Sequence, residues 1–391
     1  MAHSRIAKPI HKTETNILLP INKFSELIAV LFGVLFLGFA GNFIHDDPVP
    51  DDITINRDSL RIGLLVSADP ASDPLSLEAV HAVQLAVNKT NNTGGINGRF
   101  VELIVKSSDA DWGAGAKKSV DLIYDDEVAA IIGSLNGQNA HLVEMAVAKA
   151  QVVFISTRAT DPTLSGANIP WFFRVIPNDI QQAEQLSGYI YNIKNLERLS
   201  VVSSDLYDHK MAAETFLWVS QENGHPKPEY YSYDINKPDF DDLVQSLPAT
   251  NPDGISFYGY PEHLKSLIHT MKSSKIQIPV FAPLSILDTA VPSLRTYISS
   301  NVTHICPDNR FHDRAERFKS EFEAIYGYKA GNIAAYSYDG VNVLLESFKR
   351  GAYESESITR HLTGLIDFQA VTGDITFLEN GDVKDITTVC Q

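Results

Sequence analysis

Residues 61–105 read RIGLLVSADPASDPLSLEAVHAVQLAVNKTNNTGGINGRFVELIV, and two changes of periodicity within them decide the fold. Residues 61–66 are an almost unbroken apolar run, the pattern of a strand covered on both faces. Leu77, Val80, Val83 and Val87 then recur at helical spacing until Thr93, Gly94 and Gly95 stop the helix. Val101, Leu103 and Val105 alternate as a second strand. A doubly buried strand, a helix and another strand imply a parallel sheet, because parallel strands need a crossover of this length.

The alternation continues outward. A helix over 114–124, a strand at 128–132, another helix and a strand at 152–156 complete a doubly wound lobe. After Pro177 the same units begin again: a helix over 182–193, a strand at 200–203, a helix from His209 and a strand at 229–233. Strands at 254–258 and 279–282 flank a helix carrying Leu264, Leu267, Ile268 and Met271. Two long helical patterns, 313–326 and 334–349, precede Ile375-Thr376-Phe377 and the turn Glu379-Asn380-Gly381-Asp382, which predict a terminal hairpin. The fold class expected is α/β, with two doubly wound, Rossmann-like lobes; 391 residues exceed what one core usually organises.

Composition narrows the function. Hydrophobic residues at 44% and charged residues at 20% suit a globular chain, and the net charge of −16 would repel a phosphate backbone, so nucleic acid is not an expected partner. The 12 His residues lack paired metal-ligand spacing, a Gly-x-Ser-x-Gly elbow is absent, and the glycines at 94–98 open a strand rather than a helix, the wrong context for a dinucleotide loop. No enzymatic activity, metal or cofactor is therefore expected. Arg5, Lys8, Lys12 and Lys23 precede an apolar run over 27–41, an export signal. Gly38 and Ala40 offer small residues for cleavage, whereas extension through Phe43 and Ile44 would make an anchor in the inner membrane. Residues 1–45 are thus read as signal peptide or signal anchor, and the Asp- and Pro-rich 46–59 as a linker. A periplasmic or extracytoplasmic location follows, where Cys306 and Cys390 can form a disulfide, although spacing alone shows no proximity.

Asn91-Asn92-Thr93-Gly94-Gly95-Ile96-Asn97-Gly98-Arg99 resembles the helix-to-strand turn of the type I periplasmic binding proteins. It is joined in that family's order by Ala129-Ala130-Ile131-Ile132-Gly133, by Ser156-Thr157-Arg158-Ala159-Thr160-Asp161-Pro162 and by Phe173-Arg174-Val175 leading to Asp179. Tyr338-Asp339-Gly340-Val341 and Thr372-Gly373-Asp374-Ile375-Thr376-Phe377 complete it. Over about 60–391 the chain is similar to the leucine, isoleucine and valine binding proteins of ABC transporters. The resemblance implies a three-stranded hinge crossing near Pro177, Pro307 and Val371, with lobe one formed by 60–177 and 307–370 and lobe two by 178–306 and 371–391. Both cysteines would then fall on the second lobe or its border, which favours their pairing.

The implied activity is capture of a small carboxylate-bearing solute, an amino acid or related compound, by a monomer that serves a membrane permease or a sensor partner. In open α/β sheets ligands lie beyond the carboxyl ends of strands, here the loops after Val66, Gly133 and Ser156. Asn136 and Gly137 open a helix whose N–H groups suit a carboxylate, with Gly137 standing where relatives carry a serine. The resemblance makes Thr160 a carboxylate ligand, Ala159 a main-chain contact, Leu75 a side-chain contact, and Tyr207 and Tyr260 lid residues. Arg158 could pair bidentately with a carboxylate or turn away to Asp161. Leu284 lies close to where relatives place the acid that neutralises the ligand ammonium; Asp205, Asp208 and Asp288 are the substitutes on offer, or else ordinary loop and capping residues.

Overall fold

The computed structural model describes residues 59–108, 114–308, 312–384 and 387–391. The expected signal segment and nearly all of the linker lie outside the described residues. In chain order the elements are β1 (Ser59–Val66), α1 (Pro74–Asn92), β2 (Phe100–Ser107), α2 (Ala114–Val120), β3 (Ala130–Ser134), α3 (Gly137–Ala150), β4 (Val153–Ser156), α4 (Thr163–Gly166) and β5 (Phe172–Arg174). There follow α5 (Asp179–Ser187), β6 (Leu199–Ser204), α6 (Tyr207–Glu222), β7 (Glu229–Tyr233), α7 (Asp241–Thr250), β8 (Gly254–Tyr258), α8 (Pro261–Ser273), β9 (Val280–Ala282), α9 (Pro292–Asn301) and β10 (Thr303–Pro307). The last are α10 (His312–Tyr326), α11 (Asn332–Lys349), α12 (Ser355–Thr363), β11 (Phe368–Gln369), β12 (Asp374–Ile375) and β13 (Thr387–Cys390).

Two sheets organise them. The first runs β2-β1-β3-β4-β5, all parallel, and the second β13-β10-β9-β8-β6-β7, parallel except for β13. β3, β4, β6 and β8 are buried throughout, and the runs Ala130-Ile131-Ile132-Gly133 and Val153-Phe154-Ile155 are correspondingly free of charge, while β6 buries three serines among its apolar residues. The turn after α1 needs its glycines: Gly94, Gly95 and Gly98 have φ of 96°, 75° and 78°, and a Cβ on Gly95 would lie 2.2 Å from the Arg99 carbonyl oxygen. Cys306 and Cys390 are joined across the β10–β13 pair, Cα–Cα 5.9 Å.

The chain leaves the first sheet after β5 and returns to its side after β10. The third crossing departs from expectation. Asp339 of α11 accepts the N–H groups of Val371 (2.8 Å) and Thr372 (2.9 Å), so these residues stay with the first lobe. Farther on, Arg174 N donates to Gly381 O and Val383 N donates to Arg174 O (both 2.9 Å), extending the first sheet beyond β5. Residues through Lys384 therefore stay with the first lobe while β13 pairs with β10 in the second sheet, so the chain does not change lobes near Val371. A buried ion pair fixes this arrangement: Arg174 donates to Asp382, and Asp382 also accepts from Ser165 (2.7 Å) and from Asn178 (2.8 Å) at the first crossover.

Candidate functional site

The carboxyl ends of β1, β3 and β4 present Ser67, Asn136-Gly137 and Arg158-Ala159-Thr160 on one side of a seam. The second sheet answers with the start of α6, the N-terminus of α8 and the turn at 284–288. Two groups of side chains meet there.

In the first group Asn136 caps α3 through its side chain, which accepts from Asn139 N (2.9 Å). Gly137 N is already taken: it donates to both carboxylate oxygens of Asp208, at 3.0 and 3.2 Å. Tyr207 donates its hydroxyl to Asp161 (2.7 Å), which also receives Thr163 Oγ1 (2.6 Å) and faces His141 Nε2 at 3.0 Å. Burial opposes the charge on Asp161, but His141, Thr163 and Tyr207 outweigh it and hold the carboxyl well below its usual range. Burial likewise opposes the charge on His141, yet Asp161 and Glu144 lift it to about 9. Asp161 and His141 therefore form an ion pair at neutral pH. Asp179, 4% exposed, is pushed up to about 7, chiefly by burial, although a hydrogen bond from the Thr160 hydroxyl favours its charged form. Asp208 rises to about 6, again chiefly by burial, with Gly137 N–H and Arg158 pulling the other way.

The second group surrounds Arg158. Its guanidinium makes one hydrogen bond among the described residues, to Ser67 Oγ at 3.3 Å. The alternative partner Asp161 is not used, because that carboxylate is filled by His141, Thr163 and Tyr207. Nearby, buried Glu78 of α1 accepts Gly331 N (2.6 Å) and Ala334 N (3.2 Å) at the start of α11 and lies 3.7 Å from Arg295 of α9. Arg295 donates to the Thr289 carbonyl (2.6 Å). Next to Thr289, the half-buried Asp288 carboxylate has no hydrogen bond or ion pair among the described residues. Burial pushes it up to about 7, while Arg158 pulls down, Glu78 pushes up and Arg295 pulls down.

The structure brings Asn136, Gly137, Thr160 and Tyr207 together around the carboxylates Asp161, Asp179 and Asp208. Ala159 is buried, its carbonyl 3.4 Å from Arg174 Nη1. Tyr260 caps α8 and is 43% exposed, edge-on to His209 at 5.1 Å; burial pushes His209 down to about 4, so it is neutral there. Leu75 is half-buried in the first turn of α1, one turn before Glu78. Leu284 is buried and bonded through its backbone, N to Gln182 Oε1 (3.0 Å) and O from Asn332 Nδ2 (3.4 Å). Sequence reading missed Glu78, His141 and Arg295, whose partners, apart from Glu144 three positions after His141 on α3, lie on other elements. The local signals were a buried-face acid at Glu78 beside Ala79, Ala82 and Val83 and the i, i+3 pair His141–Glu144.

Comparison with known proteins now bears on this geometry. A family model described as "Periplasmic binding protein" matches residues 59–385. A Leu/Ile/Val-binding protein homolog of Brucella melitensis is 23% identical over 305 residues, covering 77% of this chain and 81% of that protein. The chemotactic signal transduction system substrate-binding protein BasB of Halobacterium salinarum is 29% identical over 218 residues, 49% of this chain and 48% of that one. Among solved structures, the branched-chain amino acid transporter substrate binding protein LivJ of Streptococcus pneumoniae, in complex with isoleucine, superposes with a TM-score of 0.71 at 20% identity, over 85% of this chain and 99% of that one. Two parallel-sheet lobes, and a family match that runs from the start of β1 to residue 385, lead to one conclusion: the chain belongs to the periplasmic binding protein family.

Proposed function

We propose that this protein is an extracytoplasmic solute-binding protein that captures a small carboxylate-bearing solute, an amino acid or related compound, between its lobes for an ABC transporter permease. The observation that carries this is a guanidinium and a carboxyl group on opposite sides of the seam whose hydrogen-bonding capacity is largely unused among the described residues. Arg158 of the first lobe uses one hydrogen bond, to Ser67, and Asp288 of the second uses none among the described residues. A guanidinium fork suits a carboxylate, and an unpartnered carboxylate suits an ammonium. Asp288 is preferred to the other two acids because Asp205 accepts Ile235 N (2.9 Å) and Asp208 accepts Gly137 N. The relatives named for Leu, Ile and Val, and the isoleucine held by the solved LivJ protein, support the same class of solute.

A thermal-shift screen across amino acids, dicarboxylates, amides and aromatic acids tests this, since a ligand of the folded state raises its melting temperature by mass action. A zwitterionic amino acid is expected to give the largest shift, lost in Arg158→Met. Hits confined to uncharged solutes would overturn the proposal. The chemotactic role in the name of the Halobacterium relative supports a second reading, a sensor lobe tethered by residues 27–44. N-terminal sequencing of the mature protein separates the two: a start near Gly41 supports release and transport, an intact 27–44 segment the tethered sensor.

A further inference from the structure

We propose that Asp208 is a built-in occupant of the anion seat at the start of α3, so that the lobes clasp through the protein's own carboxylate and a solute's anionic group must be read elsewhere. This inference deepens the solute-binding reading by fixing which part of the seam is closed to the solute.

The first turn of α3 offers backbone donors and the positive end of the helix dipole to an anion. Gly137 N is held by both oxygens of Asp208, and Asn139 N by the side chain of Asn136. Asp208 also stands in the first turn of its own helix, α6, so one carboxylate faces two helix N-termini that come from different lobes. The N–H of Gly137 is thereby already engaged by a carboxylate, which leaves little electrostatic incentive for a second anion at the same place.

Packing supports this. A Cβ on residue 137 would lie 2.8 Å from Asp208 Oδ1, 3.3 Å from Tyr207 Cε1 and 3.4 Å from Asp161 Cβ. Glycine at 137 leaves room for the Asp208 carboxylate and the Tyr207 ring at these distances, and a Cβ there would force the carboxylate to shift. Tyr207 supplies a second point of attachment 2.7 Å from Asp161, whose carboxylate is itself fixed by His141 and Thr163. Adjacent residues of α6 thus grip adjacent loops of the first lobe through the protein's own groups. Closure assisted by the chain itself shifts the solute-free population toward the closed state, and the solute contributes only its differential affinity for that state.

The test uses no solute, so its outcome stands apart from whether the screen above finds one. Cysteines introduced at exposed positions, Met145→Cys on α3 and Glu222→Cys on α6, accept spin labels selectively because the native pair is joined. In solute-free protein the interlobe distances are expected to be short and narrowly distributed. Asp208→Ala should shift them to longer, broader values, and added acetate should restore the short ones by filling the vacated seat. Gly137→Ala, which leaves Asp208 in place but blocks its approach, should lengthen them without response to acetate. Distances in Asp208→Ala that match the parent protein, or that lengthen and ignore acetate, would overturn the proposal.

Discussion

Replacing Asp382 with Ala should be among the most damaging single changes to the fold, and its size follows from what is left behind. Arg174 is 0% exposed and donates to Asp382, to Ser165 (2.9 Å) and to the Asp161 carbonyl (2.6 Å). Without Asp382 the guanidinium keeps its charge in a buried site and loses its only carboxylate partner among the described residues. Breaking a buried pair by removing one member costs about 3–5 kcal/mol, because the surviving charge is uncompensated. At about 2 °C per kcal/mol, the low end of the range for larger domains, the melting temperature should fall by roughly 6–10 °C. The double change Arg174→Met with Asp382→Leu removes both charges and should recover most of that loss, so the two changes are strongly non-additive. Differential scanning calorimetry of the parent, both single variants and the double variant measures this. A fall below about 2 °C for Asp382→Ala, or additive losses in the double variant, would refute the reasoning.

Other consequences are equally direct. Arg158→Met should weaken binding of a carboxylate solute roughly 10- to 100-fold, the worth of a charge-assisted contact, whereas Thr160→Ala should cost less because that hydroxyl already serves Asp179; titration calorimetry reads both. Asp179 is held near 7 against an ordinary carboxyl value of 3.8, so the folded state binds more protons between those values and its stability falls as pH rises through that window. Asp179→Asn should therefore gain on the parent in melting temperature between pH 5 and pH 8, tested by a pH series of melts, and a constant difference would contradict the assignment. Opening the Cys306–Cys390 bond, which closes a separation of 84 residues, should cost about 2–4 kcal/mol in a denaturant midpoint; a midpoint unmoved by Cys306→Ser would show that the bond is dispensable.

The sequence declared those parts of the fold whose signals are local. The apolar runs at Leu64–Val66 and Ile131–Ile132 required strands buried on both faces, and the glycines at 94–98 sit where positive φ is needed. Helix α7 was not read because it spans only 241–250 and carries Pro248 in its last turn, a residue that argues against a helix. The third crossing was placed too early because the pairing of Asp382 with Arg174 spans 208 positions and leaves no periodic trace. The site divides the same way. The loops after β1, β3 and β4 were predictable from strand polarity, and these loops carry Arg158 and Asn136. The contact between Gly137 and Asp208 joins residues 71 apart on different lobes, and such a pairing leaves no local signal in the sequence.

The central claim is that the seam between the two lobes holds a solute and returns it unchanged. The most direct measurement titrates the purified chain with the best solute from the screen and then recovers that solute quantitatively by mass spectrometry, in the parent protein and in Asp288→Asn. The account predicts one solute per chain, complete recovery without chemical change, and weakened binding in Asp288→Asn. Recovery of a converted product, or binding indifferent to Asp288, would contradict it.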